Sequence, residues 1–570
     1  MIENYINCAI RRKKADLVLK NAKYLDVFCG EIKKGDIAIC NDRIVGIGEY
    51  EGEKQIDCSS LYVLPGYIDG HVHIESSQLS PEEFASLIVP RGTTTIIADP
   101  HEITNVCGIA GCEYIAKASR NVPLDVKIQL PSCVPATPFE TSGAIIDGKA
   151  TQKFIKKDYV YGLGEFMNYP GVINCDGDVI KKLESAHALD KVIDGHAPNV
   201  SGYELNAYLA GGISTDHECV TEEEIKEKIS KGVYVHVRHG SSTQNLGNAK
   251  YITASNMRRF ILCTDDRHAA DLKEKGHIDD ALKKLVAMGI DPIWAVTLTT
   301  LNCAECYGLK WKGGIAPFWF ADLVIVEDMK NFNAKYVIKD GKVVAEEGKP
   351  LFDTANRYLP KNVLNTVKVK TLTADDFKLS IKSKKAKAMT ILPGGVVTGC
   401  EIVDVNCADG DTDVKGTDLL KLAVVERHKM TGNIGKALFK GYGFKGGAIG
   451  ITIAHDSHNI ILLGDDNKAM AEAANKLKEI GGGMVLVNSQ TGEISSVTLD
   501  IAGLMSSSNA DDLQKKSKEI IEKAYAMGVK REYEAYMSLA FLSLAVIPKL
   551  KITDKGLFDV EKFAFTSIEA

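Results

Sequence analysis

Between residues 66 and 268 one pattern recurs: a short apolar run ends in polar or ionisable residues and gives way to an amphipathic stretch. Eight such runs stand out: GYIDGHVHIE (66–75), TTTIIADPHE (93–102), DVKIQLPSCVP (125–135), YVYGLGEFMN (159–168), KVIDGHAPN (191–199), GISTDHECV (212–220), VYVHVRHGS (233–241) and RFILCTDDRH (259–268). The runs read as buried strands, and intervening stretches such as TEEEIKEKISKG (221–232) read as helices. Eight is the number of strands that closes a (β/α)₈ barrel of the TIM type, whose active site forms at the C-terminal ends of the strands. His, Glu and Asp cluster at the ends of these runs.

The flanks have a different texture. Residues 16–65 carry β-branched residues punctuated by Gly, Asn and Asp, and the same texture returns at 313–348. Two separated β-rich pieces can form one composite β domain, a β-sandwich that brackets the barrel. The expected division is therefore 1–65 and 306–360 for the composite β domain, 66–305 for the barrel, 361–400 for a lysine-rich linker, and 401–570 for a C-terminal α+β domain with strand-like (GAIGITIAHDSHNIILLG) and helical (DDLQKKSKEIIEKAYAMG) pieces.

Composition adds exclusions. Apolar residues make up 45%, charged residues 25%, and the formal net charge is −6, an ordinary globular balance that advertises neither a nucleic-acid nor a membrane partner. No long apolar core follows the basic cluster near the N-terminus, so neither a signal peptide nor an anchor is expected and a cytoplasmic location is. Fourteen scattered cysteines then read as reduced packing residues. The single C-x-x-C, Cys303 to Cys306, lacks a second pair at zinc-site spacing.

The candidate chemistry starts at His71 and His73. On a strand, alternate residues share a face, so both rings can close on one metal ion. Taken in strand order, Glu165, His196, His217 and Asp265 join them. Imidazole and carboxylate donors suit Mn²⁺, Fe²⁺ or Zn²⁺, and Glu165 can bridge two ions. At the ends of the second and seventh strands Glu102, His101, His239 and His236 are candidates for proton transfer, and Asp99, His101 and Glu102 could instead form an accessory metal site. In the tail, AHDSHN (454–459) reads as a solvated turn, with a lid over the barrel mouth as the alternative.

These residues carry a resemblance. PGYIDGHVHIE, the single histidines near strands five and six and the aspartate at strand eight resemble the amidohydrolase superfamily over the first 350 residues. GTTTIIADPHEITNVCG, GLGEFMNYPGV, DGHAP and STDHECVT, together with a C-terminal domain of this size, resemble the bacterial adenine deaminases over almost the whole chain. That resemblance implies hydrolytic deamination of adenine to hypoxanthine and ammonia in purine salvage. It also implies a binuclear centre of Mn²⁺ or Fe²⁺, with Zn²⁺ as an alternative, held by His71, His73, Glu165, His196, His217 and Asp265. Asp265 is the expected proton acceptor, Glu102 and His239 further catalytic candidates, adenine the small-molecule partner and a homo-oligomer (dimer) the expected assembly. The alternatives are a cyclic-amide hydrolase of the dihydroorotase or hydantoinase kind, and a non-catalytic scaffold. The first usually carries a carboxylated lysine at strand four, where GLGEFMN offers Glu165.

Overall fold

The computed structural model describes residues 1–570 apart from Ser242 and 393–396. Five parallel strands, β1 (Tyr67–His73), β2 (Thr93–Ala98), β3 (Asp125–Leu130), β4 (Val160–Phe166) and β5 (Ile193–Gly195), pair side by side. Three more, β6 (Thr215–Asp216), β7 (Tyr234–Arg238) and β8 (Phe260–Cys263), form a second parallel run. Both seams close: Ser214 N–H donates to Ile193 O at 3.1 Å between β5 and β6, and Asp265–Asp266, just past β8, pairs with β1. The result is an eight-stranded barrel in which every strand falls inside one of the eight apolar runs. Every residue of β1 and β2 is buried, including Asp69, His71 and His73 in β1 and Thr93, Thr94 and Thr95 in β2.

The outer helices begin where the sequence supplies caps. Ser80 Oγ accepts the Glu83 N–H at the start of Pro81–Ile88, with proline in the first turn. Thr221 caps Glu222–Ser230, whose three first-turn glutamates favour the positive end of the helix dipole.

The N-terminal strands and the segment after the barrel share one nine-stranded sheet. Its seam is Tyr62–Pro65 against Leu323–Val326, antiparallel, with Val63 opposite Ile325. Beneath it Asp322 lies between Lys312 at 2.5 Å and Lys339 at 3.2 Å, and Lys312 also reaches Asp125 at the start of β3.

The C-terminal region is an eight-stranded sheet with the helix Asn467–Glu479 packed against it. One correction concerns the stretch expected as a linker, 361–400. Lys385–Ile391 is a strand paired on both sides within this sheet, and 393–396 lie outside the described residues. The lysine content disguised it: Ala386, Ala388, Met389 and Ile391 are buried while Lys385 points outward. This region packs firmly on the barrel. Asp554 accepts from the Thr141 backbone and hydroxyl at 2.8 and 2.7 Å, and the Phe139 ring sits 4.7 Å from Phe558 and 5.0 Å from Phe563. Among the described residues no helix is long and apolar enough to cross a membrane.

Candidate metal centre

His71 and His73 share a face of β1, and their Nε2 atoms lie 3.2 Å apart with both rings buried. His73 Nδ1 donates to the Asp99 carbonyl at 2.7 Å, which fixes the tautomer so that the Nε2 lone pair of the neutral ring faces inward. Two imidazole nitrogens at that separation, removed from water, require a cation or a proton between them.

Glu165 ends β4 with its carboxylate between two pairs of imidazoles. Oε2 lies 2.8 Å from His196 Nδ1 and 3.2 Å from His217 Nε2; Oε1 lies 3.4 Å from His101 Nδ1 and 3.6 Å from His73 Nε2. A carboxylate with one oxygen toward each pair is shaped to bridge two ions. The glycine before it is needed sterically. A Cβ on Gly164 would stand 2.1 Å from Asp99 Oδ2, the oxygen that accepts the Glu165 N–H at 2.9 Å.

Asp265 completes the ring from β8. Its Oδ1 lies 3.5 Å from both His71 Nε2 and His73 Nε2 and 3.8 Å from His217 Nε2, while Oδ2 faces Arg238 at 3.4 Å. The residue sits at φ 57°, a left-handed backbone that turns its side chain into the barrel. Burial works against ionisation of Asp265 and Glu165, yet Arg238 in the first case and His196 and His217 in the second hold them well below the usual carboxylate range.

The fit to divalent ions is good on three counts. The groups His71/Glu165/His217, His71/His73/Asp265 and His73/His101/Glu165 each converge within one ion's reach. His101 Nδ1, which faces Glu165, is buried without a hydrogen-bond partner. The donors are nitrogen and oxygen only, the set that suits Mn²⁺, Fe²⁺ and Zn²⁺.

The structure thus brings His71, His73, Glu165, His196, His217 and Asp265 together. Glu102 lies one residue beyond His101, in the first turn of the helix His101–Cys107. It meets His101 Nε2 at 3.3 Å, His455 Nδ1 at 2.7 Å and His458 Nε2. His239 stands apart from the cluster. Strand β7 alternates, so His236 faces the rings of His71 and His217 whereas His239 turns the other way, 2.6 Å from Asp280, which also binds Arg267 and Lys284. AHDSHN is buried at the barrel mouth rather than solvated. Cys303 and Cys306 are free and buried in a helix, apart from the donors. His101, Arg238 and the pair His455 and His458 are the contributors that strand order alone under-weighted.

Comparison with known proteins extends over the whole chain. Residues 62–344 match the amidohydrolase family and residues 395–564 the adenine deaminase C-terminal domain. Adenine deaminase 2 of Desulfotalea psychrophila is 47% identical over 573 residues, spanning 100% of this chain and 99% of that protein. The adenine deaminase of Clostridium acetobutylicum is 44% identical over 568 residues, 99% of each chain. That of Nitratidesulfovibrio vulgaris is 43% identical over 570 residues, 100% of this chain and 99% of that protein.

Proposed function

Because this chain belongs to the adenine deaminase family, we propose that it hydrolyses adenine to hypoxanthine and ammonia, a reaction of purine salvage. The observation that carries this reading is the end-to-end similarity to adenine deaminases, barrel and C-terminal domain alike. Glu165 at the β4 position supports it further, since cyclic-amide hydrolases of this superfamily usually place a carboxylated lysine there.

In this reading His71, His73, Glu165, His196, His217 and Asp265 hold two divalent ions, Mn²⁺ or Fe²⁺, with Zn²⁺ as an alternative. Divalent ions lower the pKa of bound water from 15.7 to about 7 and so supply a nucleophile at neutral pH. Asp265 has one oxygen toward the imidazoles and the other toward Arg238. It accepts the proton released as water adds to C6 and returns it to the departing amine, a role for which an ionised carboxylate within hydrogen-bond reach is suited. Glu102 handles the ring-nitrogen proton, whereas His239, paired with Asp280 away from the ligands, has no direct part. The enzyme is further proposed to act in the cytoplasm as a homodimer. An exposed apolar row at every fourth position of the N-terminus, Ile2, Ile6 and Ile10, supports that assembly, and light scattering measures it.

An ultraviolet assay of Mn²⁺-loaded protein with adenine, adenosine and dihydroorotate side by side tests the reading. Turnover of adenine to hypoxanthine is expected. Hydrolysis of dihydroorotate with adenine untouched would transfer the protein to the cyclic-amide class.

A further inference from the structure

A cavity lies between the barrel mouth and the C-terminal domain, and its two sides differ in chemistry. The barrel side carries Glu75, Glu102 and Asp266, each just past the C-terminal end of β1, β2 or β8. The opposite side belongs to the C-terminal domain and sets Ile453, Leu504, Met537 and Phe541 beside His455 and His458. The Phe541 ring stacks on His455 with centroids 4.8 Å apart and planes 22° from parallel.

Glu102 is held in this cavity from both of its oxygens. His455 Nδ1 is 2.7 Å from one of its oxygens and His458 Nε2 contacts the other. The tautomer of His458 is readable: the Ala454 N–H donates to His458 Nδ1 at 3.1 Å, so the ring proton sits on Nε2 and points at Glu102. A ring that presents an N–H to the carboxylate offers no lone pair there for an ion, so the trio works as a hydrogen-bonded clamp rather than as a third metal site. The same carboxylate is 3.3 Å from His101, whose other nitrogen is 3.4 Å from Glu165. The cavity therefore opens beside the metal centre.

Resting on the reading of adenine as substrate, we propose that the C-terminal domain completes the substrate pocket: this cavity, about 20 Å³ as it stands, widens so that the purine lies against Leu504, Met537 and Phe541, and Glu102, clamped by His455 and His458, reads a ring N–H. A flat bicyclic base with polar edges needs an apolar wall for its face and fixed polar groups for its edge, and the two domains supply these jointly. His455 and His458 are positioning residues: they touch Glu102 and fix its oxygens.

The test has two arms on the full-length, Mn²⁺-loaded enzyme. In the first, 2-azidoadenine is photolysed with wild-type protein and the labelled peptides are mapped. Adenine-protected label on 453–458 or 537–541 is expected, and label confined to barrel peptides would overturn the pocket. In the second, Phe541→Ala and His458→Ala are compared with His458→Gln, which keeps a donor. Phe541→Ala should raise KM for adenine about ten-fold or more with metal content and melting temperature unchanged, and His458→Gln should recover part of the loss seen in His458→Ala. A folded Phe541→Ala enzyme with wild-type KM would also overturn the pocket. A wild-type enzyme that leaves adenine unchanged defeats the substrate assignment, whereas failure of either arm with adenine turnover intact falls on this inference alone.

Discussion

The Asp265 carboxylate lies 3.4 Å from the Arg238 guanidinium, on the side turned away from the histidines. The cation keeps it ionised without occupying the oxygen that faces the reacting groups. Asp265→Asn should leave that shape in place, because asparagine tolerates the left-handed backbone found there. The variant loses the proton acceptor, so kcat should fall about 10²–10⁴-fold while most of the metal stays bound. Initial rates paired with elemental analysis decide it, and a variant at wild-type speed would strip Asp265 of its role.

Metal content is the second expectation. With the Glu165 carboxylate set between two pairs of imidazoles, protein loaded with Mn²⁺ or Fe²⁺ should hold close to two ions per chain. Glu165→Ala should hold fewer than the native protein and lose turnover, and a chelator should abolish native activity reversibly. A saturating content of zero in the native protein would remove the proposed chemistry altogether.

Acid sensitivity should arise partly outside the active site. Burial raises the Asp322 carboxyl, but Lys312 and Lys339 outweigh it and bring the pKa down to about 2 from 3.8. A folded-state value below the unfolded one contributes stability that is complete above about pH 4 and is lost as pH falls toward about 2. Asp322→Asn should flatten that part of the acid-unfolding profile. At neutral pH it should cost about 3 kcal/mol at most, the lower end for a broken buried pair, because Lys312 keeps Asp125 and Lys339 keeps Asp340. Denaturant titrations at pH 7 and between pH 4 and 2 measure both effects. An unchanged acid limb would show the pair to be dispensable.

Removal of the C-terminal domain is the fourth test. A chain ending at Glu347 would bare the barrel surface around Phe139 and strip Glu102 of His455 and His458. It should melt at lower temperature, aggregate more readily and turn over adenine at least about 100-fold more slowly, the lower end of what a positioned acid–base group contributes. Full activity and full stability in the shortened chain would contradict both roles given to the domain.

The barrel was legible because each strand shows as a short apolar run that ends in polar residues and alternates with an amphipathic stretch, and eight such units in a row point to a closed parallel barrel. His71 and His73 were legible for the related reason that a two-residue strand repeat puts both rings on one side. His239 was misleading because a histidine at a strand end carries no label for the face it takes, and one step along β7 turned it from the cluster to Asp280. The strand at Lys385–Ile391 was masked by lysines on its outward face. His455 and His458 stood out as a pair within AHDSHN, but local sequence reads that stretch as a solvated turn, since the histidines acquire a role only when a distant domain lands on Glu102, 356 residues away from His458.

The antiparallel pairing of Tyr62–Pro65 with Leu323–Val326 sets an order on synthesis. The first strand leaves the ribosome with one edge already matched to Lys23–Tyr24, while its other partner does not exist until the entire barrel has been translated. At about 5–20 residues per second that delay lasts on the order of ten seconds or more. During it, Val63 and Leu64 present an unpaired apolar edge, the kind that recruits other chains. Nascent chains stalled inside the barrel should therefore associate through this edge, and those released after the return strand should not.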